Sequence, residues 1–114
     1  GLQVLNVALG GTLQQDIGTE SHWLAHHPVT LEAGSRIAKA VGHELIAKCH
    51  CVHHQALDRV ADGLTVVGRT ADGIVHACEL DSTNGVVATQ WHPEDTADTD
   101  AEQQALFQGL IDNC

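Results

Sequence analysis

The chain has 114 residues, of which 43% are hydrophobic, and its 15 acidic and 5 basic side chains give a formal net charge of -10. A chain of this length can form one core that buries about 65% of its unfolded surface. The acidic balance, without a basic patch interleaved with aromatic side chains, argues against nucleic acid as a partner. No apolar stretch of about 18 residues and no signal-peptide pattern occurs, so we expect no membrane association and a cytoplasmic location.

The predicted elements of the first half alternate between helix and strand. In chain order they are a helix over 2–9, a polar His-rich loop over 12–27, a strand over 29–32, a helix from a Gly34-Ser35 cap to about Val41, a strand over 43–52 and a short helix over 55–60. Serine is a favoured N-cap residue, and Arg36 and Lys39 then fall on the solvent face of the second helix.

The second half predicts three strands and a terminal helix. The strands cover 64–70, 74–80 and 86–91, and the Asp72-Gly73 and Asn84-Gly85 turn signals between them predict a partly antiparallel sheet. Thr99-Asp100-Ala101-Glu102 matches a capping box, in which Thr99 caps the helix. The apolar stripe that follows makes this helix amphipathic and consists of Leu106, Phe107, Leu110 and Ile111.

The segment Gln90-Trp91-His92-Pro93-Glu94 follows the last strand and carries an imidazole and a carboxylate two residues apart. In extended backbone, positions i and i+2 project to the same side, so Glu94 can reach His92 and fix its tautomer while Pro93 stiffens the turn. We interpret His92 as a candidate base and Glu94 as its orienting carboxylate. The alternative is a strand that ends in a proline turn and carries both residues by chance.

The segment 49–54 concentrates thiol and imidazole groups and raises the question of a metal site. Zinc requires four converging ligands. Strand alternation puts Cys49, Cys51 and His53 on one face and the other two histidines of the segment on the opposite face, so the segment supplies at most three ligands. A fourth ligand from His22, His26 or His27 has no recognised spacing to support it. We therefore predict no metal and no cofactor, and a strand end that lines the functional site.

The four cysteines are predicted to be reduced, because a chain with this many apolar segments does not need disulfides to hold its fold. Cys49 and Cys51 would lie about 6.5–7 Å apart on one strand face, at the limit for a disulfide. The small residues that a nucleophile turn requires do not flank them, so neither is predicted to be a nucleophile.

Several segments together resemble one protein family. They are the segment 1–17, whose apolar helical part stops at the Gly10-Gly11 pair, then His27-Pro28-Val29-Thr30-Leu31, the segments 34–38, 53–56 and 71–73, and Trp91-His92-Pro93-Glu94. With these, the chain is similar to the class I glutamine amidotransferase-like superfamily, most closely its gamma-glutamyl-gamma-aminobutyrate hydrolase (peptidase C26) branch. The resemblance implies an α/β fold: a three-layer α/β/α, flavodoxin-like domain with a mixed sheet, of which residues 1–114 form the C-terminal part.

The family's nucleophilic cysteine occurs in a Gly-x-Cys-x-Gly-x-Gln pattern at a strand-to-helix elbow. Gly1 and Gln3 match the last Gly and Gln of that pattern, so the resemblance places the cysteine two residues before Gly1. The chain also contains no methionine. We therefore expect a fragment whose partner is the missing N-terminal half of its own domain.

The resemblance implies hydrolysis of gamma-glutamyl amides by a Cys-His-Glu triad that uses His92 and Glu94, with Gln3 facing the bound glutamyl group. The family's Asn-Ser-x-His-His-Gln segment lies at the substrate-facing edge, which implies that Cys51, His53 and His54 are substrate-binding residues. In this chain His50 and Cys51 replace the Asn and Ser. The implied partner is a small gamma-glutamyl substrate. The resemblance is also compatible with a homo-oligomer of the protein. Two alternatives stay open: a glutaminase subunit that delivers ammonia to a partner synthase, and a non-catalytic binding or regulatory module.

Overall fold

The computed structural model describes residues 1–18, 23–80 and 86–112. Three α-helices occur in this part of the chain: α1 over Leu2–Ala8, α2 over Arg36–Val41 and α3 over Ala101–Asp112. The strands are β1 (Leu13–Gln14), β2 (Trp23–Leu31), β3 (Leu45–Val52), β4 (Ala56–Leu57), β5 (Leu64–Arg69), β6 (Val75–Leu80) and β7 (Val87–Thr89). A short 3-10 turn over Pro93–Asp95 follows β7.

The strands form a five-stranded sheet in the order β3-β2-β5-β6-β7 and a separate two-stranded ribbon of β1 and β4. Every strand pair in the described residues is antiparallel. Strand β2 pairs along most of its length with β3, but it meets β5 only at Thr30 and Leu31. The segment after β7 bridges β6 and β3, because the Gln90 amide donates to the His76 carbonyl and the His92 amide donates to the His50 carbonyl.

Two core clusters lie on opposite faces of this sheet. On β5 the neighbouring residues Val66 and Val67 belong to different clusters, and on β6 so do Ala77 and Cys78. Adjacent strand residues point to opposite faces. One face is covered by α2 and α3, and the other by α1 and the β1–β4 ribbon. The sheet thus lies between two layers.

Helix α2 and the β5–β6 hairpin form as the local sequence predicts. The Ser35 hydroxyl accepts a hydrogen bond from the Ala38 amide at 3.1 Å, which satisfies one of the free donors at the start of α2. Gly42 ends this helix with φ 93°, a left-handed conformation that favours glycine. The turn between β5 and β6 places Gly73 at φ 83°. Asn84-Gly85 lies outside the described residues.

The predicted loop over 12–27 is wrong in its second part, because β2 begins at Trp23 and runs through the histidines. The cause is long-range pairing: His26 faces His50 and His27 faces Cys49 on β3. Pro28 lies at a register shift on this strand, where its missing N–H costs no regular ladder bond.

The predicted helix over 55–60 is also wrong. Ala56 and Leu57 instead pair with Gln14 and Leu13, in a contact that no local pattern shows.

The capping of α3 differs from the prediction in one residue. The Asp100 carboxylate, not the Thr99 hydroxyl, accepts a hydrogen bond from the Glu102 amide, at 3.0 Å. The Glu102 carboxylate does not turn back to cap the helix, because it contacts the imidazole of His43 and accepts from the Ala47 amide. The Glu102 side chain, which a capping box would use to cap the helix, thus ties α3 to the start of β3.

Candidate active site

His92 and Glu94 lie on either side of Pro93 in the turn after β7. His92 Nδ1 is 2.7 Å from Glu94 Oε1. A carboxylate only accepts hydrogen bonds, so Nδ1 carries the proton and Nε2 presents its lone pair outward. The His92 side chain is 46% exposed and can meet a substrate. The contact forms across a 3-10 turn rather than on an extended strand, because β7 ends at Thr89.

The segment that carries His92 is held between two strands of the sheet. The Gln90 amide donates to the His76 carbonyl on β6 at 2.7 Å, and the His92 amide donates to the His50 carbonyl on β3 at 3.0 Å. Between them the Trp91 side chain is buried, and its indole N–H donates to Gln103 of α3 at 2.9 Å. These contacts fix the backbone of His92.

Gln3 is half-buried in the first turn of α1, close to the same segment. Its side-chain nitrogen donates to the Gln55 carbonyl at 3.0 Å and to Gln90 Oε1 at 3.2 Å. The carboxamide therefore links α1 to the segment between β3 and β4 and to the segment before His92. The predicted contact of Gln3 with a bound glutamyl group stays a prediction.

A cavity of about 850 Å³ brings most of the predicted site residues together. Its lining includes Gln3, His53, His54, His92 and Glu94, together with Gly1 at the start of α1. Apolar side chains supply much of the remaining wall, among them Trp23, Val52 and Phe107. A cleft with an apolar wall and a few converging polar groups is the usual form of a small-molecule site.

The sequence matches the peptidase C26 family model over residues 1–94. The chain belongs to the peptidase C26 family. It is 40% identical to a candidate glutamine amidotransferase of Mycobacterium tuberculosis, over 98% of this chain and 37% of that protein. It is 28% identical to the gamma-glutamyl-gamma-aminobutyrate hydrolase of Escherichia coli strain K12, over 100% of this chain and 51% of that protein.

Solved structures of similar fold agree with the α/β class. A glutamine amidotransferase from Thermotoga maritima superposes with a TM-score of 0.68 at 14% identity, over 98% of this chain and 45% of that one. The predicted superfamily and the predicted α/β fold are thus confirmed. This C26 chain spans between about a third and about half of the length of the relatives it matches. None of its described helices is long and apolar enough to cross a membrane.

Cys51 is the predicted binding residue that the structure does not bring to the cavity. It is fully buried, and its side chain packs in the core cluster under α2 and α3. Burial raises the pKa of the Cys51 thiol to about 11, so the thiol is protonated at neutral pH. A substrate contact by this side chain is therefore excluded in this conformation. The reason is the alternation of β3, which turns Cys49 and Cys51 inward together.

The other thiols of the C26 chain are no better placed as nucleophiles. Cys49 and Cys78 are buried, and burial raises the pKa of both, that of Cys78 to about 11. Cys114 lies outside the described residues. This placement agrees with the prediction that Cys49 and Cys51 are not nucleophiles.

His50 has a contact that sequence reasoning missed. Its Nδ1 lies 2.7 Å from Asp95 Oδ2, at the end of the 3-10 turn that holds His92 and Glu94. The resemblance left the side-chain role of this position open, because His stands where the family usually has Asn. The signal that could have found the contact is the second carboxylate of the turn, Asp95, directly after Glu94.

His76 on β6 was also missed, and the structure places it beside two residues of the 49–54 segment. The described residues hold one group of three side chains that could bind a metal ion, formed by Cys51, His53 and His76. His22, one of the histidines considered as a fourth ligand, lies outside the described residues. His76 could not be found from its spacing, because it is more than twenty residues away on another strand.

Proposed function

We propose that the protein to which this chain belongs hydrolyses gamma-glutamyl amides through a Cys-His-Glu triad. The contact between His92 and Glu94 at a cavity shared with Gln3 is the observation that carries this proposal. The cysteine would come from the part of the domain that precedes Gly1. Two facts support that placement: Gly1 itself lines the cavity, and the relatives of the chain are two to three times as long.

The chemistry assigns one role to each nitrogen of His92. Nδ1 donates to Glu94, which holds the ring and stabilises the imidazolium, and Nε2 takes the proton of the cysteine thiol. The thiolate then attacks the amide carbonyl carbon. As the C–N bond breaks, His92 returns its proton to the leaving amine, and a gamma-glutamyl thioester remains. Water loses a proton to His92, attacks the thioester and releases glutamate and the free thiol.

The cavity supplies the binding groups for the acyl part of the substrate. We expect Gln3 and His54 to contact the gamma-glutamyl group, because both line the cavity that His92 borders. His53 lines the same cavity, but its two ring nitrogens face the Gln55 carbonyl and His76 Nε2. The hydrogen bonds of Gln3 to Gln55 and Gln90 hold its carboxamide in place before substrate binds. Such preorganisation lowers the entropy that binding must overcome.

The first prediction tests the pair in the full-length protein, with glutamine and gamma-glutamyl-gamma-aminobutyrate as substrates. His92→Ala should lower kcat by about 10⁴-fold or more, and Glu94→Gln should lower it by about 10³–10⁴-fold with a smaller change in KM. The matched control is His43→Ala, which removes an exposed histidine outside the cavity and should leave kcat unchanged.

Two results would contradict this proposal. A His92→Ala protein with near wild-type turnover would remove the base assignment. A full-length protein that binds these substrates without any turnover would favour the non-catalytic binding module. Turnover of glutamine only in the presence of a synthase would instead make the protein the glutaminase component of an amidotransferase.

A further inference from the structure

Three donor atoms from β3, the segment after β3, and β6 converge in the interior of the chain. His53 Nε2 lies 3.2 Å from His76 Nε2, and Cys51 Sγ lies 3.6 Å from the same His76 nitrogen. All three ligand atoms are within 4.8 Å of one another. Each of the three residues is at most 5% exposed.

The other ring nitrogen of each histidine faces a backbone carbonyl. His53 Nδ1 is 3.0 Å from the Gln55 carbonyl, and His76 Nδ1 is 3.0 Å from the Ile74 carbonyl. A carbonyl only accepts, so both Nδ1 atoms carry hydrogen and both neutral rings direct the Nε2 lone pair toward the common point. Metal-bound histidines have this arrangement, in which a carbonyl fixes the tautomer from behind.

Two of the three distances between the ligand atoms agree with those around a tetrahedral ion, and the third, between Cys51 Sγ and His53 Nε2, is within 4.8 Å. Bonds of about 2.0–2.1 Å to nitrogen and about 2.3 Å to sulfur separate two nitrogen ligands by about 3.3 Å and a nitrogen from a sulfur by about 3.6 Å. The observed separations are 3.2 Å and 3.6 Å.

We propose that Cys51, His53 and His76 bind a zinc ion. One thiolate and two imidazoles form a ligand set that zinc prefers, and oxygen-seeking ions such as magnesium or calcium do not suit it. The fourth position is assigned to water, and His53 is the ligand that also lines the cavity. The expectation of no metal considered residues 49–54 with His22, His26 or His27 as a fourth ligand, and it did not include His76.

The site lies directly behind the segment that carries the candidate base. The carbonyl of His76 accepts from the Gln90 amide, and the residue before Cys51 accepts from the His92 amide. A zinc ion would therefore link the two strands that hold residues 90–92. This role is separate from proton transfer by His92, so the zinc site and the hydrolase proposal can fail independently.

The test uses the full-length protein, purified, stripped with a chelator and titrated with zinc and with cobalt. We expect the wild type to bind about one zinc ion per chain at this site, and its cobalt form to show a sulfur-to-cobalt charge-transfer band. Cys51→Ala and His76→Gln should each lower zinc affinity by at least about tenfold and abolish the band. Cys49→Ala is the matched control, since Cys49 is equally buried on the same face of the same strand but lies outside the group.

Circular dichroism melts of the metal-free proteins show whether each variant folds. Glutamine is used at position 76 because it preserves the volume of the histidine side chain better than alanine does. Wild-type protein that takes up no zinc would overturn the proposal. So would folded Cys51→Ala and His76→Gln proteins that retain wild-type affinity and the cobalt band, or a Cys49→Ala protein that loses both as completely as they do.

Discussion

At the scale of single residues, Asn6 is the most fully used polar side chain of α1. It is completely buried, and its amide nitrogen donates to the carbonyls of Thr12 and Arg59 at 3.1 and 3.0 Å. Its oxygen accepts from the Ala61 amide at 2.8 Å. The Gly10-Gly11 pair that ends the helix fits this contact, since a Cβ on Gly11 would overlap the side-chain amide of Asn6.

Asn6→Asp is therefore predicted to destabilise the full-length protein by about 2–4 kcal/mol. The carboxylate cannot donate, so the hydrogen bonds to the Thr12 and Arg59 carbonyls are lost and a buried charge faces these two oxygens. Urea denaturation followed by circular dichroism measures the change. Gln14→Glu makes the same chemical change at an exposed position and should shift stability by less than about 0.5 kcal/mol. Equal stability of the two variants would contradict the role of Asn6.

At the scale of elements, the 3-10 turn of His92 and Glu94 is joined to β3 by two contacts at one residue. The His50 carbonyl accepts from the His92 amide, and the His50 ring contacts the Asp95 carboxylate. His50 is thus a positioning residue: it touches the turn and not the cavity.

We expect His50→Ala and Asp95→Ala to lower kcat of the full-length protein by about 10–100-fold each, because the turn loses its anchor and His92 shifts relative to the substrate. The double variant should be no worse than either single variant, since both remove one contact. His50→Asn, which restores the residue usual in the family, should recover most of kcat. Steady-state kinetics of the four proteins provide the measurement, and additive losses would show that the two residues act separately.

At the scale of the whole molecule, apolar side chains remain on the surface of α1 and α3. On α1, Val4 is 73% exposed and Val7 50% exposed, while Leu2 on the opposite face is buried against β5 and β6. On α3, Leu110 and Ile111 are 65% and 62% exposed. Only one face of α1 is exposed in this way, because the other face packs on the sheet. Exposed apolar stripes of this kind mark interaction surfaces.

The chain expressed alone is therefore predicted to associate and to show no amidase activity. Association follows from the exposed faces of α1 and α3, and inactivity follows because the described cysteines are buried thiols and His92 has no thiolate to activate. Light scattering after size exclusion measures association, which Val4→Lys with Val7→Lys should reduce. A monodisperse monomer with cysteine-dependent turnover would mean that a cysteine of this chain is the nucleophile.

Features that depend on neighbouring residues could be predicted from the sequence. The Ser35 cap, the Asp72-Gly73 hairpin and the contact of His92 with Glu94 all form within four residues along the chain. Short separations leave few conformations open, so the side-chain types decide the outcome. The family resemblance rests on the same kind of local motif, and the family match confirms it.

Contacts between distant residues were decided only by the tertiary structure. The start of β2 at Trp23, the pairing of β4 with β1, the anchor of His50 on Asp95 and the meeting of His76 with Cys51 and His53 each join residues far apart in sequence. The register and curvature of the whole sheet decide which strand a polar segment pairs with. Register and curvature follow from the burial of both faces of the sheet at once. The sequence alone therefore determined the family and the candidate catalytic pair, while packing of the sheet determined which other histidines and cysteines surround that pair.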